Sequence, residues 1–214
     1  MKSVLAFEEA PSPGTAAAVL HDGVRHPKLT FENLPKRGAL MPAVLLACAL
    51  GVLMWAVEVR DLQSSTDGLL NLPMLQPMLH TPGGQKLLSQ FATAKSDSAA
   101  FGVFLAGLPS IPLGLLATAI IMHVCLAVLG AGRGGFNETA RVLCYSSTGA
   151  ALVVVPIVGS LASLIVVSIQ LVAGLRHVHD TSNTRVVVAL SLPMFIAIGV
   201  VLGGVWMFMM ALGR

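Results

Sequence analysis

Four stretches of this chain run without a single formal charge: residues 38–57, 98–132, 142–175 and 186–212. No other feature constrains the fold as strongly. A helix needs roughly 20 apolar residues, at about 1.5 Å each, to cross a hydrocarbon core about 30 Å thick. All four runs are long enough, and two are longer than one straight crossing requires. The expected fold is all-α, a polytopic transmembrane helical bundle of about five spans.

The rest of the composition agrees. Charged residues make up 11% of the 214 and hydrophobic residues 55%, with a mean hydropathy of +0.83. Soluble domains carry about 25% charged residues. So few charges cannot cover a water-facing surface, so most of the exterior should face lipid. Residues 1–36 differ. Up to Arg37 the chain holds nine formal charges, with Pro11 and Pro13 and no apolar core long enough for a signal peptide. These residues read as a short cytosolic tail ahead of a membrane domain over 37–214. Near its end Leu29, Phe31 and Leu34 alternate with Lys28, Glu32, Lys36 and Arg37, a mixture suited to the membrane interface. Cys48, Cys125 and Cys144 all lie in apolar stretches and read as reduced core thiols. The net charge of +3 calls for no nucleic acid, because basic residues cluster at span ends.

The first span covers 38–57. Residues 58–97 hold Pro73, Pro77, Pro82 and Gly83-Gly84 and read as a loop lying on the membrane or the bundle. Pro109 and Pro112 should break the next run, leaving an interfacial entry and a second span over 109–131. As one helix, 142–175 would be roughly 50 Å long. Pro156-Ile157-Val158-Gly159 therefore reads as a tight hairpin between spans at 137–157 and 159–179, and 186–212 is the fifth span. With the N-terminus in the cytosol, nine Lys and Arg residues fall inside: Lys2, Arg25, Lys28, Lys36, Arg37, Arg133, Arg141, Arg176 and Arg185. Arg60, Lys86, Lys95 and Arg214 fall outside. One bent span in place of the hairpin gives eight against five, so the positive-inside rule favours five spans. No internal repeat of the transporter kind is visible.

No nucleophile motif, nucleotide loop or zinc-protease signature occurs, so neither an enzyme nor a cofactor is expected. Two polar clusters stand out, one over 133–141 and one over 174–185. Read structurally, Asn137 is an N-cap with Glu138 in the first helical turn, while Arg176, His177 and His179 suit the C-terminal end of a helix. Read functionally, Glu138, Arg141, Arg176, His177, His179 and Arg185 form one cytosolic patch that docks a partner. Glu138 and Arg141 are i,i+3 neighbours and should pair. No metal is expected, because the rings of His177 and His179 point roughly 200° apart on a regular helix. Three polar residues lie at membrane depth: His123, Tyr145 and Gln170. Such residues face the bundle interior and mark either function or interhelical glue. A His123–Tyr145 hydrogen bond is the natural pairing. Gly199-x-x-x-Gly203 permits close approach to another span or to a second copy in a homo-oligomer.

At this point the sequence resembles the Yip family, the Ypt-interacting-protein domain, and its bacterial branch in particular. The most specific residues are Gly134-Gly135-Phe136-Asn137-Glu138-Thr139-Ala140-Arg141-Val142-Leu143-Cys144-Tyr145-Ser146-Ser147. Ile157-Val158-Gly159, Gly174-Leu175-Arg176-His177-Val178-His179, Ser182 to Arg185, His123 and the entry Pro27…Phe31…Leu34-Pro35…Gly38…Pro42 add to it. The resemblance implies a five-span membrane domain with a cytosolic N-terminus. In eukaryotes it implies ties to vesicle traffic, Rab-type GTPases and membrane shaping, often as oligomers. The tail here lacks the Asp-Leu-Tyr-Gly-Pro-type motif, so GTPase binding does not carry over. The expected function is that of a non-enzymatic scaffold or adaptor in a bacterial cytoplasmic (inner) membrane. Its partners would be the bilayer and other membrane or cytosolic proteins. The alternative is a small transporter or channel subunit with a polar path near His123.

Overall fold

The structure is a computed structural model, and it describes residues 3–32, 34–70, 97–155 and 158–212. Among these residues all regular structure is helical: α1 (Ser3–Glu9), α2 (Pro13–Arg25), α3 (Pro27–Glu32), α4 (Leu40–Leu70), α5 (Asp97–Gly107), α6 (Ser110–Val128), α7 (Phe136–Ala150), α8 (Gly159–His179) and α9 (Asn183–Leu212), with a 3-10 turn over Ala151–Val154. Three of the described stretches are long and apolar enough to cross a membrane: Leu40–Val59, Phe101–Val128 and Gly159–His179. The chain divides into two units, one of Met1–Ala47 with Gly114–Arg214 and one of Cys48–Leu113.

Within the first unit, α7 is the centre, and its composition is the reverse of a lipid-facing helix. Ten of its residues are buried, among them Glu138, Thr139, Arg141, Tyr145, Ser146 and Thr148. Its buried hydroxyls donate back to the helix: Ser146 Oγ to Val142 O at 2.8 Å and Thr148 Oγ1 to Tyr145 O at 2.8 Å. Helix α8 packs beside α7 at closest approach where glycine leaves room. A Cβ on Gly174 would lie 2.7 Å from both Phe31 and Val142. The tail helices cover the remaining polar side. A capping box starts α2: Thr15 N donates to Ser12 Oγ at 3.2 Å, and Ser12 N to Thr15 Oγ1 at 3.0 Å. Pro13 at the first helical position suits the fixed φ of its ring. Val19 and Gly23 then face inward, and Thr30 Oγ1 closes the α2–α3 joint by donating to Asp22 O and His26 O.

The apolar residues face the other way. Leu161, Leu164 and Phe195 are each more than 60% exposed. In water such faces would cost about 25 cal/mol per Å²; against lipid tails they cost nothing.

In the second unit, Trp55 Nε1 donates to Phe104 O at 3.1 Å, and Gly107 lies flat against the Trp55 ring.

Several helix limits differ from those expected. Helix α4 continues to Leu70, because Glu58, Arg60 and Asp61 are tolerated once a helix has left the apolar layer. The rest of the expected loop, residues 71–96, lies outside the described residues, as do Pro156, Ile157 and Arg214. Helix α7 starts at Phe136, with Gly135 rather than Asn137 at the N-cap, and it stops at Ala150 rather than 157. Its 15 residues give about 22 Å, short of the hydrocarbon thickness. Helix α9 begins at Asn183 and continues through Pro193.

Candidate functional site

The polar groups singled out above meet at one end of the first unit, where α7 begins and α8 ends. Two turns, each with one residue in the left-handed region, bring them there. After α6 the chain reverses in a Schellman turn: Gly130 takes φ 65°, Ala131 N donates to Leu126 O at 2.8 Å and Gly130 N to Ala127 O at 2.9 Å. After α8 the left-handed position falls on Asp180 (φ 47°), a residue type that tolerates it, and Thr181 N donates to Arg176 O at 3.2 Å.

Arg141 is the hub of the first half of the site. Its side chain is fully buried, and the side chains of Glu8 and Glu138 are 8% and 9% exposed. The guanidinium fork reaches three partners in different directions. Nε donates to Glu8 Oε1 at 2.8 Å, Nη1 to Glu138 and Nη2 to the Pro35 carbonyl. The Tyr145 hydroxyl donates to the same Glu8 oxygen at 3.1 Å. Gly38 lies over the fork; a Cβ there would come within 2.6 Å of Arg141 Cζ. Around this hub the tail is fastened at four more points. Arg176 pairs with Glu32, and His177 Nε2 donates to Leu34 O at 3.0 Å. Lys36 Nζ donates to both Asp180 oxygens at 2.7 Å. Gln170 Nε2 donates to Gly23 O at 2.9 Å and to Thr148 Oγ1 at 3.1 Å. The Lys36 ammonium holds the Asp180 carboxyl below the ordinary aspartate value.

The second half is a chain of hydrogen bonds through two imidazoles. Gly134 N donates to His179 Nδ1 at 2.8 Å, so that nitrogen carries no proton and the neutral ring keeps its proton on Nε2. Nε2 donates to Thr139 Oγ1 at 2.9 Å. The same Thr139 hydroxyl hydrogen-bonds with His123 Nδ1 at 3.0 Å and donates to Gly135 O at 3.3 Å. The His123 ring packs edge-on against Phe136, with centroids 5.8 Å apart. Gly134 must be glycine for this: a Cβ would lie 2.5 Å from Val178 O and 2.9 Å from His179 Nδ1.

These contacts correct two expectations. His123 and Tyr145 do not bond to each other; Thr139 takes the first and Glu8 the second. The six residues expected to form an open docking patch do not share one surface. Glu138, Arg141 and His179 are buried, Arg176 and His177 are half-buried under the tail, and Arg185 alone is exposed. The chain's own N-terminal segment occupies the place assigned to a partner. The i,i+3 pairing of Glu138 with Arg141 does form. His177 and His179 reach different partners, and the described residues contain no group of three metal-ligating side chains. The Gly199 and Gly203 positions face open space in the single chain. Sequence reasoning missed Glu8, Glu32, Lys36, Gly38 and Thr139 as members of the site. Gly38 and Thr139 lay inside the motifs that carried the resemblance. Nothing in the sequence tied Glu8 to a residue 133 positions away.

Apolar helices with lipid-like exteriors, packed around a polar centre that the chain closes with its own tail, define an integral membrane protein. The model of the Yip1 domain matches residues 23–205, and the chain belongs to that family. No curated protein and no solved structure gives a significant match to the sequence.

Proposed function

We propose that this Yip1-domain protein is a non-enzymatic scaffold or adaptor of a bacterial cytoplasmic membrane, crossing it about five times with its N-terminus in the cytosol. Two facts support the orientation. The tail contacts both the α6–α7 side and the α8–α9 turn through Arg141 and Asp180, so all three segments share one end. That end also gathers nine of the thirteen basic residues in the five-span count.

The observation that carries the scaffold reading is the closure of the Arg141 hub. Its charged groups are already paired within the chain, an arrangement that holds shape and leaves no reactive group poised for substrate. What remains at that end for a partner is the rim of the latch around Arg176 and His177, together with the outer face of the tail. The test is capture of partners from native membranes in mild detergent, comparing wild type with Arg176→Gln/His177→Ala. A stoichiometric partner held by wild type and lost from the folded variant supports the scaffold. A folded wild type that holds no stoichiometric partner removes it.

One observation favours a second reading, a transport or channel subunit. The hydrogen-bonded series His179, Thr139 and His123 lines up exchangeable groups at membrane depth, as a polar path requires. Proton flux into proteoliposomes under a pH gradient, abolished by His123→Phe, would establish it. Wild-type vesicles no leakier than empty ones would sink it.

A further inference from the structure

Where α8 gives way to α9 lies a cleft of about 200 Å³ lined by Gly130, Arg133, His179, Asp180, Thr181, Ser182 and Arg185. That volume is roughly the space of six or seven waters. Three independent features give the cleft a positive, hydrogen-bond-donating character. First, Arg133 and Arg185 make no direct ion pair among the described residues, and the carboxylate in the same lining, Asp180, is bonded to Lys36 and feels Arg133 only at longer range. With Lys36 bonded to Asp180, the two guanidinium groups leave the cleft positive on balance. Second, Thr181 Oγ1, in the wall of the cleft, is buried and finds no hydrogen-bond partner. A buried hydroxyl without a partner costs about 1–3 kcal/mol, so a turn of the Thr181 side chain that brings it to a ligand oxygen in the cleft is favoured. Third, the 30-residue helix α9 starts at this wall. Ser182 Oγ accepts from Arg185 N at 3.4 Å, and Val186 N donates to Ser182 O at 3.3 Å. The amides of Asn183 and Thr184 are left over by the helix, whose positive dipole end faces the same region.

Two forked guanidiniums, a spare hydroxyl and a helix N-terminus suit a tetrahedral oxyanion better than a carboxylate or a halide. The location selects the source. The cleft lies where α8 and α9 change from apolar to polar, and Val187 and Val188, just inside α9, are exposed. That is the level at which lipid headgroups lie. We infer that the cleft between Arg133 and Arg185 binds the phosphate of an acidic phospholipid headgroup. Bound there, the phosphate would bridge the α6–α7 turn to the start of α9 and touch the wall formed by His179. The lipid would thereby brace the turn that holds Gly134 in place. This inference does not depend on the scaffold reading, and it uses none of the residues varied to test that reading.

The experiment is native mass spectrometry of the full chain released from nanodiscs containing equal amounts of phosphatidylglycerol and phosphatidylcholine. Wild type is expected to retain phosphatidylglycerol. Arg133→Gln/Arg185→Gln should lower that retention about tenfold or more, and Thr181→Val by a smaller factor. Arg25→Gln/Lys28→Gln removes the same charge from exposed tail positions and should retain the lipid as wild type does. In a second arm, sodium phosphate is compared with sodium chloride at equal ionic strength. Displacement of the bound lipid by phosphate supports the site. Phosphate binding that depends on Arg133 and Arg185 without any retained lipid keeps the phosphate chemistry but overturns the lipid source. Equal retention by wild type and Arg133→Gln/Arg185→Gln, or an equal loss in the tail control, overturns the site itself. Thiol reactivity of buried Cys125 shows that each variant is folded.

Discussion

Replacing Arg141 with Met is the most direct test of the latch. Met fills similar space and leaves the shape of the cavity largely intact, so the effect reads out charge rather than volume. The side chains of Glu8 and Glu138 are less than a tenth exposed, and both point at the lost guanidinium. Removing one member of a buried ion pair costs about 3–5 kcal/mol, because the charge left behind is neither solvated nor paired. Here two carboxylates are left, and the Pro35 carbonyl loses its donor as well. The expected loss is therefore at the upper end, about 4–5 kcal/mol. The triple variant Glu8→Gln/Arg141→Met/Glu138→Gln removes the stranded charges and should recover most of that loss, since replacing a whole buried ion cluster by neutral groups is often close to neutral. The assay is unfolding in mixed micelles across a denaturing-detergent titration, followed by the reaction of Cys125, which is buried in the folded chain, with a thiol-reactive dye. A loss below about 1 kcal/mol for Arg141→Met would mean that the cluster is hydrated and surface-like. A triple variant as unstable as the single one would show that the stranded carboxylates are not the cause. Either result refutes the reasoning.

Thr139→Val keeps the shape of the side chain but cuts the imidazole relay at its middle, leaving His179 Nε2 without an acceptor and His123 Nδ1 without its partner. A loss of about 1–3 kcal/mol is expected; nitrogen NMR of the two rings should show His179 still accepting at Nδ1 and His123 changed, and unchanged signals from both rings would contradict the relay. Gly134→Ala pushes a methyl group to 2.5 Å from Val178 O, so the α6–α7 turn must move off His179. Destabilisation of about 1–3 kcal/mol is expected, together with loss of the amide–imidazole bond in the same spectrum; a variant as stable as wild type would place the turn elsewhere. For Asp180 the folded carboxyl titrates below its ordinary value of 3.8, so its contribution is present above that value and is lost as pH falls through the folded value. Asp180→Asn, which still tolerates the left-handed backbone, should be less stable than wild type at neutral pH, and the two should converge in acid once pH has fallen through the folded value. A gap that persists in acid would assign the effect to the backbone rather than to Lys36.

The sequence determined which segments belong in lipid. Transfer from water to hydrocarbon is a local property summed along the chain, so four uncharged runs were enough to require apolar helices and an integral membrane protein. It also marked the residues that matter at the polar end, because a glycine pair between apolar runs and charge beside those runs are local signals too. Gly134, Glu138, Arg141, His177 and His179 were all legible in that sense. Which way those residues face was decided by the tertiary structure alone. Arg141 reads on paper as half of a surface pair, and it is buried because Glu8, 133 residues earlier, folds over it with Pro35 and Gly38. His123 reads as a partner for Tyr145, and Thr139 comes between it and His179 instead. Periodicity and hydropathy carry no information about partners separated by more than a helical turn. A buried charge is tolerated only where a distant group meets it in space, and packing alone determines where that happens.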